Sequence, residues 1–553
     1  MNDRSRLSRV RRRLLEDLKE EVRLHIGPTP ESLRRYYKDY KAEFSGRWTR
    51  SSKDELIGSV REARIVMVGD YHTLRQSQRT NLRILRELLP GKRRIRLGLE
   101  LVHSAHQGHL DRFLAGEASL KELLRGLRYP ETWGQPWEGY GELLEFAAAH
   151  GIPVHGLNRS GRGVGLRVRD RHAARLVAGL AVRYPEDLIH VVFGDLHLAA
   201  GHLPRYTVEA LGRAGVKGVA PVIIFQNSET LFWKLHRRRL QHRVDVLRRG
   251  RSRFCINSTP PWVKLHSFVF WERNRDELLE ALMAGGRGIV GAGGGAVEFS
   301  EQQASLIRVI ADYFELRPPG MDDFTVLTLA ELNRFIGTLG RLKRFDHLEP
   351  LLAVRDSLFI PERRIIFLRG PDINHAAEQG AVFLNWLCTR YAPRPDGGQD
   401  EFYRRVLRRA LGFVGSLVIN PRRKHWHEAD HVRYLDGLSR RRVLSRRGRA
   451  QREASRWVLR HIDRWPARGG RAAIRSVLAI DDRCLRLVST GLGQIIGYRL
   501  YHGMLQGAVA RNDVAGLFSM NPGGPGEARD LYADLEQQLR MVVPLVISKS
   551  HRF

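Results

Sequence analysis

Two short stretches of the sequence decide the fold: residues 65–72 read IVMVGDYH, and residues 190–197 read HVVFGDLH. Each is an apolar run followed by Gly-Asp-x-His. An apolar run of this length, rich in β-branched residues, is typical of a buried strand. The glycine lets the chain turn sharply where the strand ends. The Asp and the His then fall in the loop beyond the strand, where open α/β sheets bind ligands. We therefore expect the two loops to face one site.

Strands and helices alternate around these two stretches, from about residue 55 to residue 227. The predicted strands are 65–68, 94–99, 153–157, 188–193 and 218–225. The predicted helices between them are 74–89, 104–115, 118–126, 139–150, 167–184 and 203–214. This alternation predicts right-handed βαβ units and therefore an α/β fold with an open, mainly parallel sheet flanked by helices. A predicted hairpin, 244–247 with 254–257, extends this region.

Polar residues follow the predicted strands. They are Asp70 and His72, Glu100, Asn158, and Asp195 and His197. Because parallel strands bring their carboxyl ends to one edge of a sheet, we expect these side chains to converge there. Imidazole and carboxylate ligands suit Zn, Mn or Fe. The candidate metal ligands are therefore Asp70, His72, Glu100, Asp195 and His197.

The residue types at this edge favour metal or acid–base chemistry. A bound divalent ion would lower the pKa of a water molecule to ~7 and polarise a carbonyl group. Without a metal, His72 oriented by a carboxylate could act as a general base on water. Glu100 would then orient the imidazole or protonate the leaving group. His72, Glu100 and His197 are thus the candidate catalytic residues of a hydrolase.

Six motifs, in order, resemble the ChaN-like haem-binding uptake proteins of the Tiki/erythromycin-esterase superfamily over residues 60–225. They are Val68–His72 with Gln76 and Gln78, Leu97–Glu100, His106–Gly116, Trp137–Ala147, Gly151–Asn158, and Gly194–His197 with Gly201–Pro204. The first loop differs from the family in one respect, because Asp70 stands where relatives usually carry Glu. The resemblance covers roughly a third of the chain.

The resemblance implies two functions. In the first, the sheet edge binds haem or a related iron cofactor, with His72, His197 or Tyr71 as axial ligand and Asn158 beside it. Arg75 or Arg205 would pair with the propionates, and a homodimer would enclose the cofactor. In the second, as in the esterase and protease branches, the edge is a metal- or His-dependent hydrolase site. Haem binding is the leading hypothesis, and the hydrolase is the alternative.

The chain outside this region predicts further domains. Residues 1–50 predict two amphipathic helices, and residues 51–272 form the α/β domain. A linker with a Gly-rich segment spans 273–325, and a large all-α C-terminal region follows from 326 to 553. The basic clusters at 422–424, 440–442 and 446–447 are candidate phosphate contacts. A third hypothesis is therefore a basic interaction protein with a vestigial site.

The amino-acid composition indicates which partners and which cellular location to expect for the protein. The 553 residues include 93 Lys and Arg against 60 Asp and Glu, so the formal net charge is +33. This charge fits an anionic partner such as nucleic acid, an anionic lipid surface or an acidic metabolite. Because the Arg residues are spread along the whole chain, it also fits an Arg-rich composition of solvated helix faces. The three cysteines lie far apart without CxxC spacing, which argues against a thiolate zinc site and fits a reducing compartment. We find no secretion signal and no apolar stretch of ~18–20 residues, so we expect a cytoplasmic protein.

Overall fold

The computed structural model describes residues 3–27, 29–91, 93–159, 164–284, 299–328, 357–370, 372–391, 399–438, 446–467 and 482–542. The chain divides into two compact units. One unit contains residues 15–297 and 551–553, and the other contains residues 1–14 and 298–550. The predicted fold class is confirmed, because the first unit is an α/β structure and the second is largely helical. The predicted domain boundaries stay predictions. The Gly-rich segment at 291–296 lies outside the described residues.

The α/β unit is built on one eight-stranded sheet. Its strands are β1 (Thr49–Ser51), β2 (Ile65–Asp70), β3 (Ile95–His103), β4 (Val154–Asn158), β5 (Leu188–Gly194), β6 (Val222–Gln226), β7 (Val246–Arg249) and β8 (Arg253–Ile256). The order across the sheet is β1-β7-β8-β6-β2-β5-β3-β4. Strands β2 to β6 and β8 pair in parallel, whereas β7 is antiparallel to both of its neighbours. The carboxyl ends of six strands therefore share one edge.

Helices accompany the strands of this sheet, although residues 3–14 of the first helix belong to the second unit. They are α1 (Asp3–Ile26), α2 (Glu31–Glu43), α3 (Lys53–Glu62), α4 (Arg75–Leu88), α5 (Gln107–Leu114), α6 (Leu120–Gly126), α7 (Tyr129–Thr132), α8 (Glu138–Ala149), α9 (Leu166–Arg183), α10 (Leu203–Arg213), α11 (Glu229–Arg237), α12 (Pro261–Arg273) and α13 (Arg275–Met283). Every residue of the central strands β2, β3 and β5 is buried, which explains their continuous apolar runs.

Two local features differ from the sequence prediction. Strand β3 does not end at Leu99 but continues to His103, with a break in its pairing to β4 after Leu99. Glu100 is consequently a strand residue and not a loop residue. The apolar-aromatic run 263–271, which the sequence places in a β-hairpin extension over 240–275, instead lies in helix α12, which begins with Pro261 at its first position. Proline suits that position because the first helical N–H has no partner in the helix.

The second unit is mainly helical. Its helices are Ser300–Phe314, Ile373–Thr389, Gln399–Ile419, Glu428–Leu438, Arg446–Ala467, Asp482–Gln506, Arg511–Ser519 and Glu527–Leu539. A small three-stranded sheet, 325–327 with 358–360 and 365–367, accompanies them. Arg11, which belongs to this unit, is buried and donates to the carbonyls of Leu417 and Val418 at 2.8 Å each. Within the described residues, no helix is long and apolar enough to cross a membrane.

Candidate functional site

A large cleft opens at the carboxyl edge of the sheet. Its volume is about 1580 Å³, above the usual range of roughly 300–1,000 Å³ for ligand pockets. The loops after β2 and β5 both line it, and so do the second half of α1, one side of α2, and the first turns of α11 and α12. The two Gly-Asp-x-His stretches thus contribute to one concave surface.

The first loop holds its own Asp–His pair. Asp70, the last residue of β2, accepts a hydrogen bond from His72 Nδ1 at 2.9 Å. Gln78 and Tyr140 also donate to this carboxylate, Gln78 at 2.7 Å. The His72 ring is 29 % exposed and lies 4.6 Å from Trp133. Burial lowers the pKa of His72, but the hydrogen bond to Asp70 and the charge of Glu100 outweigh it, so that the pKa is raised.

The second loop is built differently. Strand β5 ends at Gly194, and a short 3-10 helix begins at Asp195. His197 Nδ1 bonds to Asp170 of α9, not to Asp195 of its own loop. Asp170 is fully buried, and its other carboxylate oxygen accepts from Tyr36 of α2 at 2.8 Å. The carboxylate that orients the second histidine therefore comes from a distant part of the sequence.

Glu100 lies between the two imidazoles. His72 Nε2 is 3.9 Å from one carboxylate oxygen, and His197 Nε2 is 3.8 Å from the other. Arg169 forms an ion pair with Glu100, and the N–H of Gly194 donates to it at 2.6 Å. Burial raises the pKa of Glu100, but Arg169 and the two histidines outweigh this, so the pKa is lowered. Glu100 is therefore a carboxylate at neutral pH and an unsuitable proton donor.

Both glycines of the repeated stretch have side chains of other residues close to the position of a Cβ atom. A Cβ atom on Gly69 would lie 1.7 Å from Asp195 Oδ1. A Cβ atom on Gly194 would lie 3.3 Å from Glu100 Oε2 and 3.4 Å from a ring carbon of both His72 and His197. Each glycine thus leaves room for side chains from other strands and loops.

Asp195 occupies a separate part of the cleft. Its carboxylate lies 3.5 Å from Lys264 Nζ, accepts from the N–H of Gln226 at 3.3 Å, and is 3.5 Å from the Tyr40 hydroxyl. Burial raises the pKa of Asp195 to about 6, although Lys264 acts in the opposite direction. Lys264 also lies 4.5 Å from the centre of the Tyr71 ring.

The remaining predicted site residues fall into two groups. Tyr71 and Asn158 line the cleft, and Asn158 Oδ1 accepts from Arg169 at 3.0 Å. Arg75 and Arg205 do not line it. Both are more than half exposed and pair with Glu142 and Glu209 respectively. The cations expected to contact propionates are thus placed elsewhere.

The five predicted metal ligands do not form a site for a simple metal ion. In the part of the chain that the structure describes, no group of three His, Cys, Asp or Glu side chains is arranged to hold one. Of the five predicted ligands, Glu100 is already neutralised by Arg169, and Asp195 faces Lys264. An axial imidazole for iron fits better, because a carboxylate behind the ring is the usual support for a metal-bound histidine. His72 has this support from Asp70, and its ring borders the cleft.

Sequence reasoning missed several residues of the site. They are Tyr36, Tyr40, Trp133, Arg169, Asp170, Asn227 and Lys264. Tyr140 and Gln78 were noticed only as parts of the family motifs. Arg169 and Asp170 lie in the predicted helix 167–184, where a charged pair has no distinguishing pattern. The burial of Asp170 is visible only in the folded structure, so the sequence offers no signal for it.

The basic clusters of the second unit are only partly described. Arg422 and Arg423 are largely buried, and Arg423 pairs with the buried Glu378. These two residues therefore do not offer a free surface to phosphates. Residues 440–442 lie outside the described residues. The predicted nucleic-acid partner, the homodimer and the cytoplasmic location stay predictions.

The fold and this edge define an α/β protein with a large cleft built around two carboxylate-backed histidines. Residues 56–169 match the family described as haem-binding uptake, Tiki superfamily, ChaN. The family resemblance is therefore confirmed for this segment. The chain is also similar to a solved structure of cofacial heme binding to ChaN of Campylobacter jejuni. The identity is 12 %, the match covers 32 % of this chain and 87 % of that chain, and the TM-score is 0.27. No curated protein matches the sequence.

Proposed function

We propose that the chain binds haem in the cleft at the carboxyl edge of its sheet. The observation that carries the proposal is the position of His72. Its Nδ1 is held by Asp70, and its ring borders a cleft of about 1580 Å³. The family of residues 56–169 is described as haem-binding, which supports the same ligand. Haem would supply an iron centre that needs an axial ligand from the protein.

The protein's own residues would orient and enclose this ligand. Asp70 fixes the His72 ring with Nδ1 towards the carboxylate, so that Nε2, which lies 3.9 Å from Glu100, is the nitrogen left for a ligand. Trp133 at 4.6 Å and the cleft-lining Tyr71 offer aromatic surfaces. Burial raises the pKa of Tyr71, and its ring lies 4.5 Å from the ammonium group of Lys264. His72 has a carboxylate behind its ring, which is the usual support for a metal-bound histidine, and it is therefore preferred to Tyr71 as the axial residue.

The test is an absorption titration of the purified protein with hemin. We expect a saturable Soret band for the wild type and a weaker, shifted band for His72→Ala. His150→Ala is the matched control, because His150 is an exposed histidine outside the cleft. A wild-type protein without a saturable Soret change would overturn the proposal. An unchanged band in His72→Ala would overturn the assignment of the ligand.

A second candidate is a His-dependent hydrolase, favoured by the two Asp–His pairs on either side of Glu100. Each imidazole has its Nδ1 on a carboxylate, so Nε2 is the nitrogen available to take a proton from water. Glu100 is 3.8–3.9 Å from both Nε2 atoms and would stabilise the protonated imidazole. Because Glu100 is ionised, it orients the ring and does not act as the acid.

Ester and amide substrates separate the two functions. A hydrolase requires turnover in the wild type that falls at least ~100-fold in both His72→Ala and Glu100→Gln, since general base catalysis contributes about 10²–10⁴-fold. If the wild type does not turn over either substrate and Glu100→Gln still binds hemin, the hydrolase is excluded and haem binding remains as the function of the site. Turnover that persists in both variants would exclude this site as its source.

A further inference from the structure

The cleft is lined by Asn227, a buried residue with a side-chain hydrogen-bond donor that has no partner among the described residues. Asn227 follows β6, is 3 % exposed, and lines the cleft. Its Oδ1 accepts from the N–H of Ser258 at 2.9 Å and of Thr259 at 2.8 Å. These two bonds fix the orientation of the amide, so the remaining atom is the donor Nδ2. Among the described residues, Nδ2 has no hydrogen-bond partner.

An unsatisfied buried donor costs about 1–3 kcal/mol, so a water molecule, an ion or a ligand group that accepts from it stabilises the structure. The start of the adjacent helix offers further hydrogen-bond donors. Helix α11 begins at Glu229, and its first turn lines the cleft. The hydroxyl of Ser228 accepts from the N–H of Leu231, whereas the first two helical N–H groups have no carbonyl within the helix. The start of a helix also carries a partial positive charge that attracts anions.

A partly buried cation, Lys264, completes the arrangement. Lys264 of α12 has a side chain that is 14 % exposed, and it lines the cleft. Its ammonium group has three donors, of which Asp195 occupies one at 3.5 Å. Two acidic groups stand nearby. The Asp195 carboxylate also accepts hydrogen bonds from the Tyr40 hydroxyl and the Gln226 N–H, and Glu229 forms an ion pair with Lys19 at 2.9 Å. Donors thus remain available to an added anionic oxygen.

We propose that Asn227, Lys264 and the first turn of α11 form a subsite for a carboxylate group of the ligand. The inference rests on the proposed haem-binding function, because haem carries two propionates. In this proposal the subsite takes the role of propionate contact that the sequence analysis gave to Arg75 and Arg205, which lie on the surface outside the cleft. The apolar side chains Leu265 and Phe268 follow Lys264 on the cleft side of α12 and would border the ring of such a ligand.

The decisive experiment compares hemin with hemin dimethyl ester, which has the same ring and iron but no carboxylate. Two variants are titrated with both compounds by absorption. Asn227→Asp keeps the acceptor that Ser258 and Thr259 use but replaces the donor by an acceptor. Lys264→Met keeps the aliphatic stem and removes the charge. Arg213→Met is the control, because it removes one cation that is 73 % exposed.

We expect the wild type to bind hemin about tenfold more tightly than the ester, as one charged hydrogen bond provides. Each variant should lose about that factor for hemin and nothing for the ester. Equal losses for both compounds, or no loss for either, would overturn the subsite. The control should match the wild type, and a loss there as large as in Lys264→Met would also overturn it.

A separate arm distinguishes failure of the subsite from failure of haem binding. If the wild type does not bind hemin at all, the proposed function fails. The subsite is then decided by inorganic phosphate against chloride at equal ionic strength. Phosphate that raises the thermal unfolding midpoint of the wild type but not of Asn227→Asp supports an anion subsite for phosphate and overturns the carboxylate assignment. Equal midpoints in both proteins overturn the subsite altogether.

Discussion

The two Gly-Asp-x-His loops are alike in sequence and unlike in structure. In the first, Asp70 ends a strand and holds the imidazole of His72 two residues later. In the second, Asp195 begins a 3-10 helix and turns to Lys264, so Asp170 replaces it behind His197. The same four-residue pattern thus gives a local Asp–His pair in one loop and a long-range pair in the other. A repeated motif fixes where histidines lie but not which carboxylates orient them.

The glycines explain how the two loops depend on each other. Asp195 Oδ1 occupies the space where a side chain on Gly69 would begin, 1.7 Å from the Cβ position. The first loop therefore has no room for a side chain because the second loop has turned its aspartate inward. Gly194, in contrast, faces the two imidazoles and Glu100 at 3.3–3.4 Å, which is close but not a severe overlap.

The largest loss of folding stability is expected from Gly69→Ala. The added methyl group overlaps a fully buried carboxylate, and overpacking of this kind costs about 1–3 kcal/mol or more. Gly194→Ala, with contacts of 3.3–3.4 Å, should cost less than about 1 kcal/mol but weaken hemin binding. Thermal unfolding measures the first effect, and a hemin titration measures the second. Equal unfolding midpoints for the two variants would contradict the contrast between the loops.

The second effect concerns the pH dependence of stability. The pKa of Asp195 is raised by burial to about 6, whereas an unfolded Asp titrates near ~3.9. The folded state therefore binds the proton more tightly, and stability falls as pH rises from about 4 to about 6. The loss is roughly 2–3 kcal/mol. Asp195→Asn does not titrate, so its midpoint should fall less than that of the wild type between pH 4 and pH 7. Parallel curves would exclude a buried, high-pKa Asp195.

The third effect concerns the first loop. Because Asp70 raises the pKa of His72 and iron needs a neutral imidazole, hemin affinity should fall as pH falls through that raised value. Asp70→Asn removes the larger of the two causes and leaves the charge of Glu100, so binding should extend to lower pH. At alkaline pH the variant should bind about tenfold more weakly, since the carboxylate behind a ligating histidine contributes about 10–100-fold. Hemin titrations from pH 5.5 to 8.5 test this. A variant with the wild-type pH profile would show that His72 is not the titrating ligand.

The smallest effect compares two tyrosines of α2. Tyr36 donates to Asp170 at 2.8 Å, whereas Tyr40 lies at 3.5 Å from Asp195. Tyr36→Phe should cost about 1 kcal/mol of stability and Tyr40→Phe clearly less, because hydrogen bonds weaken with distance. Thermal unfolding of the two variants measures the difference. The reverse order would mean that the second loop is held by Asp195 after all.

Much of the fold was predictable from the sequence, and less of the site. The buried runs of β2 and β5 gave the strands and their shared edge, because continuous β-branched segments are typical of parallel sheets. The pair Asp70–His72 was also within reach, since both residues belong to one loop. Asp170 was not, because it is 27 residues from His197 in sequence and lies in an ordinary helical pattern. The sequence predicts Glu100 just after a strand that ends at residue 99. In the structure, β3 continues to His103, so Glu100 lies inside the strand.

Helix α2 has a consequence for the limits of the functional unit. The family segment begins at residue 56, but Tyr36 and Tyr40 precede it and bond to two buried carboxylates of the site. A fragment that begins at residue 56 would leave Asp170 and Asp195 without these hydroxyl groups and would remove one wall of the cleft. A fragment for ligand studies should therefore include α2, because the part of the chain that forms the site is longer than the part that matches the family.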